Sequence, residues 1–560
     1  MGARYDEAMR LMRFFPTLPA AAVLLLSPFI TTTADAQAYE AKPKLVVVVV
    51  IDQFRADLLS RYRSEFKGRG FQLFLDEGAW FPDCYYNYVN TKTAPGHATI
   101  GTGAYSDGHG IDSNEWWDAG RSFDRRVSSV QDERYSLVDL PEGSPANPGA
   151  SPRNLRATTL GDEVRLATGG KSRVFGISLK DRAAILPAGQ SANAAYWMDN
   201  ASGHFTTSTY YEEHLPAWAA AFNASGRAAE AVKEAGGDEK APFNEQVEPT
   251  PAANRYELDF ANALIAGEKL GQSATTDVLT VSLSAHDLAG HKYGPDSEQE
   301  HAMVLGLDRD LDSFFSQLDK TIGLKNVWVA LSADHGVAPV PAKAAELGIN
   351  AATVDLAKLI DNVNAILNAR FSNPGNTLEY VMGASDLPYL TLNRLIFEAM
   401  KIDEKTAEEA LREALPEAMV RMAEEAPHDP VTHRLPPTPR IYGIYTRLDF
   451  ENNRIPETEM GRMLAHSFTT HGNWFALLML DGYQMNDLHS TGTTHFSPWS
   501  YDRHVPLAFY GSAFVPGTYR GRVEPVDLAA TFASLLGINQ PSASVGHVLT
   551  EAIRKSESMQ

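Results

Sequence analysis

One stretch of this chain, Lys44–Ile51, restricts its fold more than any other, because every residue after Lys44 is apolar and most are Val. A strand that is apolar at every position is buried on both faces, which is typical of mostly parallel sheets covered by helices. Apolar strands are also predicted at Val278–Leu283 and Val327–Leu331, and segments with a helical spacing of apolar residues alternate with them. The sequence therefore predicts an α/β fold with a mostly parallel central sheet and helices on both faces.

The remaining elements follow from the spacing of apolar residues and from capping signals. Two late apolar runs, Trp474–Leu480 and Val505–Tyr510, are predicted as further strands. The last helix, Val526–Gly537, is amphipathic and ends in a glycine that suits a helix C-cap. The other predicted helices are Arg55–Glu77, Ala157–Ala167, Arg255–Glu268, Glu298–Leu318 and Glu404–Glu425.

The domain organisation is predicted from length and from breaks in the pattern. The chain has 560 residues, of which 44% are hydrophobic, so it is long enough to form a sizeable core. We predict a single large domain over residues 37–560. Two segments interrupt the alternation of strands and helices: residues 206–247, and residues 339–453 with their Pro-rich stretch Leu435–Arg440. Both are predicted to be insertions that form a cap.

The N-terminus has the pattern of a secretory signal. Three arginines precede an apolar run, Leu18–Ile30, and Ala34-Asp35-Ala36 after it offers an A-x-A cleavage site. We predict a signal peptide over residues 1–36 and a periplasmic or secreted mature protein. The apolar run is short for a stable membrane span, so an uncleaved anchor is the less favoured alternative, and no later segment is long and apolar enough to span.

Charge and cysteine content exclude some classes of protein. The formal net charge of −21 argues against nucleic-acid binding through a basic face. It does not exclude an anionic substrate, because divalent cations bound in a cleft can dominate the local field. The single cysteine, Cys84, excludes an intramolecular disulfide and is predicted to be a small buried residue. It also lacks the C-x-P-x-R context of a sulfatase nucleophile, which disfavours a sulfatase.

Acidic residues and histidines follow three of the predicted strands. Asp52 follows the first strand. Asp287 and His291 follow the second, at a spacing that places both on one face of a helical turn, and Asp334 and His335 follow the third. Each group alone is more typical of a satisfied polar pair or a helix cap. Because ligands bind at the carboxyl ends of strands in open α/β sheets, the groups together are candidate metal ligands.

A further histidine, His495, completes a set large enough for two metal ions about 4 Å apart, as in two-metal phosphoryl transfer. Carboxylate and imidazole ligands without thiolates favour zinc in an open catalytic site over a closed structural site. Additional calcium among the many carboxylates is left open. Five other histidines are predicted to be capping, core or supporting residues, namely His97, His109, His286, His471 and His504.

The candidate nucleophile, Thr93, lies in a turn-forming stretch, Asn90–Thr99. Pro95 and Gly96 follow it, so Thr93 is predicted at the start of a helix that continues through Ala98–Gly103. The free N–H groups and the positive dipole end of a helix start suit a phosphoryl oxygen. A threonine in this context is more often an N-cap or turn residue, so the assignment depends on the ligand groups around it.

These motifs together resemble the PafA/PhoK type of alkaline phosphatase, in order and approximate spacing, over most of the mature chain. Every nucleophile, ligand and substrate-contact position expected of that type has a counterpart here. The residues that carry the resemblance are Asp52, Thr93 in Thr-Ala-Pro-Gly-His, Asn114, the segment Ser178–Gly189, Asp287 with His291, Asp334 with His335 and Gly336, and His495.

The resemblance implies two zinc ions per chain and a nucleophile that is transiently phosphorylated. The ligands that it implies for one zinc ion are Asp287, His291 and His495. Those that it implies for the other are Asp52, Asp334, His335 and the oxygen of Thr93. This division agrees with chemistry in which one metal activates the Thr93 hydroxyl and the other stabilises the leaving oxygen.

The resemblance also implies that Asn114, Lys180 and Arg182 bind the non-bridging phosphoryl oxygens, where charge develops. Lys180 and Arg182 are two residues apart, so both cations are predicted to lie on one side of an extended chain if Leu179–Ala183 continues the strand from Val174. The implied function is that of an exported, zinc-dependent alkaline phosphatase that acts on small phosphate monoesters.

Two alternatives stay open at this point. A phosphodiesterase or nucleotide pyrophosphatase of the same superfamily would use the same two metals and differ only around the phosphate. A non-catalytic metal- or phosphate-binding protein would retain the fold without turnover. The sequence does not predict the oligomeric state.

Overall fold

The structure is a computed structural model that describes residues 42–555, except for 119–120, 122–125, 142–147, 239, 372–376, 384–386, 426–438, 470 and 487–491. Its strands, in chain order, are β1 Leu45–Ile51, β2 Ala79–Tyr85, β3 Glu115–Trp116, β4 Val127–Ser128, β5 Gln131–Ser136, β6 Pro148–Ala150, β7 Val174–Ser178, β8 Ala194–Met198, β9 Phe205–Thr206, β10 Asp277–Leu283, β11 Val327–Ser332, β12 Ala352–Val354, β13 Tyr389–Thr391, β14 Ile441–Thr446, β15 Phe475–Leu480, β16 Gln484–Asn486, β17 His504–Tyr510 and β18 Gly517–Thr518. Its helices are α1 Asp57–Arg61, α2 Gln72–Asp76, α3 Thr93–Thr102, α4 Ser106–His109, α5 Leu160–Ala167, α6 Asp181–Ala188, α7 Ala217–Asn223, α8 Arg227–Glu234, α9 Phe243–Val247, α10 Pro251–Gly267, α11 Ala285–Tyr293, α12 Glu298–Thr321, α13 Pro341–Glu346, α14 Leu356–Phe371, α15 Arg394–Ala399, α16 Glu404–Glu425, α17 Arg447–Glu451, α18 Glu459–Ser467, α19 Ser500–Arg503 and α20 Asp527–Leu536. Short 3-10 turns lie at Leu324–Asn326 and Thr550–Ala552.

A mostly parallel sheet forms the centre of the fold, which confirms the predicted fold class. Within the described residues, nine strands join in the order β18-β2-β17-β11-β1-β10-β7-β8-β9. The run from β11 to β8 is parallel, whereas β17 pairs antiparallel with both of its neighbours. Every residue of β1 is buried, as expected for an apolar strand between two others with helices on both faces.

The three strands that precede the acidic groups are direct neighbours and end at the same level. Strand β1 pairs with β10 so that Ile51 lies opposite Leu283, and with β11 so that Val50 lies opposite Ser332. The residues that follow these strands must therefore emerge at one edge of the sheet. This register brings together side chains that lie more than 280 residues apart, such as Asp52 and Asp334.

A second, smaller sheet takes two of its strands, β13 and β14, from the segment 339–453 where an insertion is predicted, whereas its central strand, β15, lies beyond that segment. Strands β13, β15 and β14 form an antiparallel sheet, and helices α14 and α16 pack with it around a separate hydrophobic cluster that runs from Val354 to Leu480. The predicted strand Trp474–Leu480 is present as β15, but it belongs to this smaller sheet. In the other segment, 206–247, helices α7, α8 and α9 pack against α10. That the two segments are insertions in one catalytic domain stays a prediction.

One predicted helix, Arg55–Glu77, is wrong as a continuous element, because α1 and α2 are separated by a loop. The carboxylate of Asp308 on α12 accepts hydrogen bonds from the backbone N–H groups of Lys67 and Phe71, at 2.7 and 2.9 Å. Gly68 between them has a φ of 78°, in the left-handed region. A side chain distant in sequence thus holds this loop, and local periodicity could not reveal it.

The other predicted helices are present, most of them with shifted ends. Helix α5 begins at Leu160 because Thr159 and Asp162 form a capping box. Helix α10 begins one turn earlier than expected, at Pro251. Helix α12 extends to Thr321, and α16 has the predicted ends.

Three further expectations concern the termini, the membrane and the cysteine. The predicted signal peptide, residues 1–36, and most of the Pro-rich stretch at 435–440 lie outside the described residues. None of the described helices combines the length and the apolar composition that a membrane span requires. Cys84 is free and buried, as predicted.

Helices α3 and α6, which carry parts of the candidate site, pack against each other through a glycine. A β-carbon at Gly101 would lie only 2.7 Å from the Cα atom of Pro187. We expect Gly101→Ala to lower the free energy of unfolding by about 1–3 kcal/mol, because the added methyl group forces the two helices apart. Urea denaturation measures this change. Gly521→Ala is the control, since no atom of the described residues lies within 4 Å of its added β-carbon; equal stability of both variants would contradict the prediction.

Candidate active site

Thr93 is the first residue of α3, as predicted, and it is buried at the carboxyl edge of the sheet. The residue before it, Lys92, is extended, so the chain turns sharply into the helix at the hydroxyl-bearing residue. The side-chain oxygen of Asn114 accepts a hydrogen bond from the backbone N–H of Ala94 at 2.8 Å. Asn114 is therefore fixed against the helix start, with its amide N–H₂ group left to donate elsewhere.

Helix α3 approaches the end of β11 very closely. A β-carbon at Gly96 would lie 2.3 Å from the backbone oxygen of Asp334, so only glycine allows this contact. The imidazole Nδ1 of His97 lies 2.8 Å from the Thr93 carbonyl oxygen and 3.2 Å from Asp334 Oδ2. His97 thus has the supporting position that the sequence predicts. The contacts place the candidate nucleophile next to one candidate ligand group.

The first predicted ligand group, Asp287, His291 and His495, comes together in the structure, with its ligand atoms within 4.8 Å of one another. Asp287 and His291 are on one face of α11, as their spacing predicts. Asp287 Oδ1 lies 3.2 Å from His291 Nε2 and 3.8 Å from His495 Nε2. Two imidazoles and one carboxylate suit a zinc ion with an open coordination position.

The second predicted group, Asp52, Asp334 and His335, lies beside the first. His335 Nε2 is 3.4 Å from Asp52 Oδ1 and 3.5 Å from Asp334 Oδ2. All three of these atoms are buried and make no hydrogen bond of good geometry among the described residues, although Asp334 Oδ2 also lies 3.2 Å from His97 Nδ1. Asp52 and His335 also form a three-ligand group with Asp287, so the two sets are continuous. Buried ligand atoms that face one another without partners fit a bound metal ion.

Two of the three imidazoles, those of His335 and His495, present a lone pair to this region, whereas the carboxylate of Asp287 outweighs burial and raises the pKa of His291. Burial lowers the pKa of His335, and burial together with His335 and His291 lowers the pKa of His495, so both rings are neutral. In each ring Nδ1 faces a backbone carbonyl oxygen and Nε2 faces the ligand group. The distance from Nδ1 to the carbonyl oxygen is 2.8 Å for His291 and Thr493, 3.0 Å for His335 and Gly336, and 2.5 Å for His495 and Thr91.

Two loops that are far apart in sequence are joined here by Thr91 and Ser497. Thr91 Oγ1 donates to the carbonyl oxygen of Ser497 at 3.0 Å and accepts from its N–H at 2.9 Å. With the bond from His495 to the Thr91 carbonyl, these contacts fix the His495 loop against the turn before Thr93.

The three carboxylates create an electrostatic conflict. Burial, followed by the charges of Asp287 and Asp334, raises the pKa of Asp52 well above its usual range. Three carboxylates in one buried cluster cannot all ionise without nearby cations. A divalent cation would remove this conflict, which is a second reason why the residues present fit a metal site.

The side chain of Lys180 supplies one positive charge to the cluster. Its Nζ atom donates to Asp52 Oδ2 at 2.7 Å and to Asp287 Oδ2 at 2.6 Å. Burial opposes the charge of this ammonium group, but Asp287 and Asp52 outweigh burial and raise its pKa. Lys180 therefore stays protonated, with one N–H of three left to donate.

The prediction that Leu179–Ala183 is extended is wrong. Strand β7 ends at Ser178, and helix α6 begins at Asp181 with Lys180 as its N-cap. Ser178 Oγ accepts from the Lys180 N–H at 3.2 Å, and Asp181 Oδ1 accepts from the Arg182 N–H at 2.6 Å. These local bonds favour a turn over a continued strand. The two cations are consequently not on one side of an extended chain.

Arg182 lines an adjoining cleft together with Lys180, Trp197 and Glu248. Its Nε atom is buried without a hydrogen-bond partner among the described residues, so it has a donor available for an anion. No sequence pattern indicates Glu248, which follows a short helix in a region without clear periodicity. Burial raises the pKa of Glu248 to about 7, although Lys180 and Arg182 oppose this shift.

The remaining histidines have the capping, core or supporting positions that are predicted for them. His286 is buried, with Nε2 2.9 Å from Glu300 and Nδ1 3.2 Å from the Asp52 carbonyl oxygen. The contacts of the others are His109 with Thr99, His471 with Asp112, and His504 with the Pro82 carbonyl oxygen.

Comparison with known proteins decides the family. The model of the type I phosphodiesterase / nucleotide pyrophosphatase family matches residues 46–457 of this chain. The chain belongs to this family, within the alkaline phosphatase superfamily. It is 33% identical over 554 residues to the alkaline phosphatase PafA of Elizabethkingia meningoseptica, covering 91% of this chain and 95% of the relative. It is 32% identical over 555 residues to the alkaline phosphatase PhoV of Synechococcus elongatus, with coverage of 92% and 94%.

A solved structure supports the same conclusion. The crystal structure of wild-type alkaline phosphatase PafA superimposes with a TM-score of 0.79 and 30% sequence identity, covering 92% of this chain and 99% of that one. The family and the fold inferred from the motifs are therefore confirmed.

The unpartnered ligand atoms generate a prediction about metal binding. We expect zinc to raise the melting temperature of the chelator-treated protein, because binding to the folded state removes the conflict among the carboxylates. His495→Ala should reduce the zinc content below that of the wild type, as measured by metal analysis. His504→Ala removes an imidazole that is bound to a carbonyl oxygen outside the ligand groups, and it should leave the zinc content unchanged. Equal losses in both variants would contradict the assignment.

Proposed function

We propose that this protein is an exported, zinc-dependent alkaline phosphatase that hydrolyses small phosphate monoesters through a phosphothreonine at Thr93. One observation carries the proposal: the start of α3, two contiguous sets of ligand atoms and a buried ammonium group meet at one edge of the sheet. The similarity to proteins named alkaline phosphatase over nine-tenths of the chain supports the same activity. Export follows from the signal pattern of residues 1–36.

Each ligand group has a place in this proposal. The residues that would hold one zinc ion are Asp287, His291 and His495. Those that would hold the other are Asp52, Asp334 and His335, with the oxygen of Thr93. When bound, zinc supplies Lewis acidity at the nucleophile and at the leaving oxygen.

Hydrolysis proceeds in two steps, the phosphorylation of Thr93 and the hydrolysis of the phosphothreonine. The Thr93 hydroxyl loses its proton to solvent and its oxygen attacks phosphorus; the bond from phosphorus to the leaving oxygen breaks, and the leaving alkoxide takes up a proton from solvent to give an alcohol. Water then attacks the phosphothreonine and releases inorganic phosphate, so Thr93 is restored. His97 and the Asn114 contact to Ala94 hold the helix start in place during both steps.

Three donors remain for the phosphoryl oxygens. The side-chain oxygen of Asn114 accepts from the Ala94 N–H, and its N–H₂ group donates no hydrogen bond within the described residues. Lys180 has one N–H beyond those used by Asp52 and Asp287, and Arg182 has its buried Nε–H. Donors that are already held in position suit the charge that develops on the non-bridging oxygens.

A phosphodiesterase is the second candidate, because the family model that matches this chain is named for phosphodiesterases and nucleotide pyrophosphatases. It would use the same nucleophile and metals. The cationic donors favour the monoesterase, since a monoester dianion has more charge on its non-bridging oxygens than a diester has.

The nucleophile gives the most direct test. Thr93→Ala should lose most phosphatase activity and retain zinc, because the other ligands of both groups remain. Thr93→Ser should retain appreciable activity, since the attacking oxygen is kept. Turnover of p-nitrophenyl phosphate and metal content are measured on the same samples, and intact mass after an acid quench reports the phosphorylated enzyme. A phosphate adduct on Thr93→Ala would show that another residue is the nucleophile.

The cations test the choice between monoesters and diesters. Lys180→Ala/Arg182→Ala should reduce monoester turnover far more than diester turnover, because each donor contributes about 2–4 kcal/mol to transition-state binding of a charged oxygen. Lys171→Ala/Arg173→Ala removes two cations at the same spacing before β7 and serves as the control. Equal losses on both substrates would contradict a role in recognising the dianion. A wild type that hydrolyses diesters faster would favour the phosphodiesterase, and a metal-loaded wild type without turnover would favour a binding protein.

A further inference from the structure

Gln53, the residue directly after Asp52, contacts both candidate ligand groups. Its side-chain amide donates to Asp287 Oδ1 at 2.6 Å. Its backbone N–H donates to Asp334 Oδ1 at 3.0 Å. It is fully buried at the end of β1, between the ends of β10 and β11. One residue therefore links a carboxylate of the first group to a carboxylate of the second.

The oxygen that Gln53 contacts on Asp287 faces the imidazoles. Asp287 Oδ1 lies 3.2 Å from His291 Nε2, whereas Asp287 Oδ2 accepts from Lys180. Each carboxylate oxygen thus has its own fixed donor, and the pair of donors sets the rotation of the carboxylate plane. Without the amide of Gln53, Lys180 alone would hold Asp287, and the ligand oxygen would be free to turn away from the imidazoles.

The backbone of Gln53 is strained in a way that suits this role. Its φ is 67°, a left-handed conformation that is uncommon for residues with a β-carbon. Such conformations persist where the surroundings determine them, and they concentrate at functional sites. Here the conformation directs the N–H to Asp334 and the side chain to Asp287, which lie on opposite sides of β1.

A glycine on α11 makes room for this side chain. A β-carbon at Gly290 would lie 2.0 Å from Gln53 Oε1, and the next neighbour outside Gln53 is Glu300 Oε1 at 3.8 Å. Gly290 lies between Asp287 and His291 on the helix that carries both ligands. Among the described residues, Gln53 is therefore the one with which a side chain at position 290 would clash.

We propose that Gln53 is a positioning residue for metal binding: its amide orients Asp287, its backbone N–H orients Asp334, and Gly290 provides the space that it needs. This inference rests on the proposed function, because it concerns the same two ligand groups. It adds Gln53 and Gly290 to the site, and neither residue contributes a ligand atom. The loss of a residue that orients a ligand typically weakens metal binding by about 10–100-fold.

The first experiment measures zinc affinity by chelator competition. Gln53→Met keeps the length of the side chain and removes the donor, so we expect zinc to bind about 10–100-fold more weakly. Gln72→Met is the matched control, since the Gln72 amide donates to the Phe66 carbonyl oxygen outside the site. Unfolding of the metal-free proteins is measured in parallel. Lower metal-free stability of Gln53→Met with unchanged zinc affinity would show a merely structural role and overturn the proposal.

The second experiment tests the contact between Gln53 and Gly290. Gly290→Ala should weaken zinc binding, because the new methyl group displaces the Gln53 amide. In the Gln53→Ala background, Gly290→Ala should have little further effect, because the space that the Gln53 amide occupies is then empty. Losses that simply add in Gln53→Ala/Gly290→Ala would overturn the proposed coupling. A wild type that binds no zinc would overturn the proposed function as well, whereas tight binding by both wild type and Gln53→Met would overturn this inference alone.

Discussion

Negative charge gathered at one buried edge of the sheet is the constraint on which the rest of the site depends. Asp52, Asp287 and Asp334 are brought together by the register of three adjacent parallel strands, and burial prevents water from screening them. A cluster of this kind is unfavourable unless cations accompany it. The ammonium group of Lys180 donates to two of these carboxylates, and the imidazoles of His291, His335 and His495 lie beside them.

The convergence of these residues could be predicted from the sequence because it depends on local patterns. Apolar runs mark where β1, β10 and β11 end, and parallel neighbours end at one edge. The helical spacing of Asp287 and His291 likewise predicts their shared face on α11. Strand ends and helix faces are properties of short segments, so these parts of the site were accessible without knowledge of the tertiary structure.

The features that could not be predicted depend on partners far away in sequence or on single turns. The loop between α1 and α2 is held by Asp308, more than 230 residues away. The turn at Lys180 depends on side-chain bonds from Ser178 and Asp181, which compete with continuation of the strand. Gln53 gives no signal in the sequence, because its left-handed backbone and its two partners exist only in the folded protein.

The hydrogen bonds between Thr91 and Ser497 join positions that are 406 residues apart. Because Asp52 and His495 lie near opposite ends of the chain, the complete ligand set is absent from every fragment that ends before His495. Closing so long a loop has an entropic cost that must be met before the last imidazole reaches the first carboxylate. If the proposed ligand set is correct, a full complement of metal requires a chain that has been synthesised past His495 and folded, so metal content would report on the folding of nearly the whole chain.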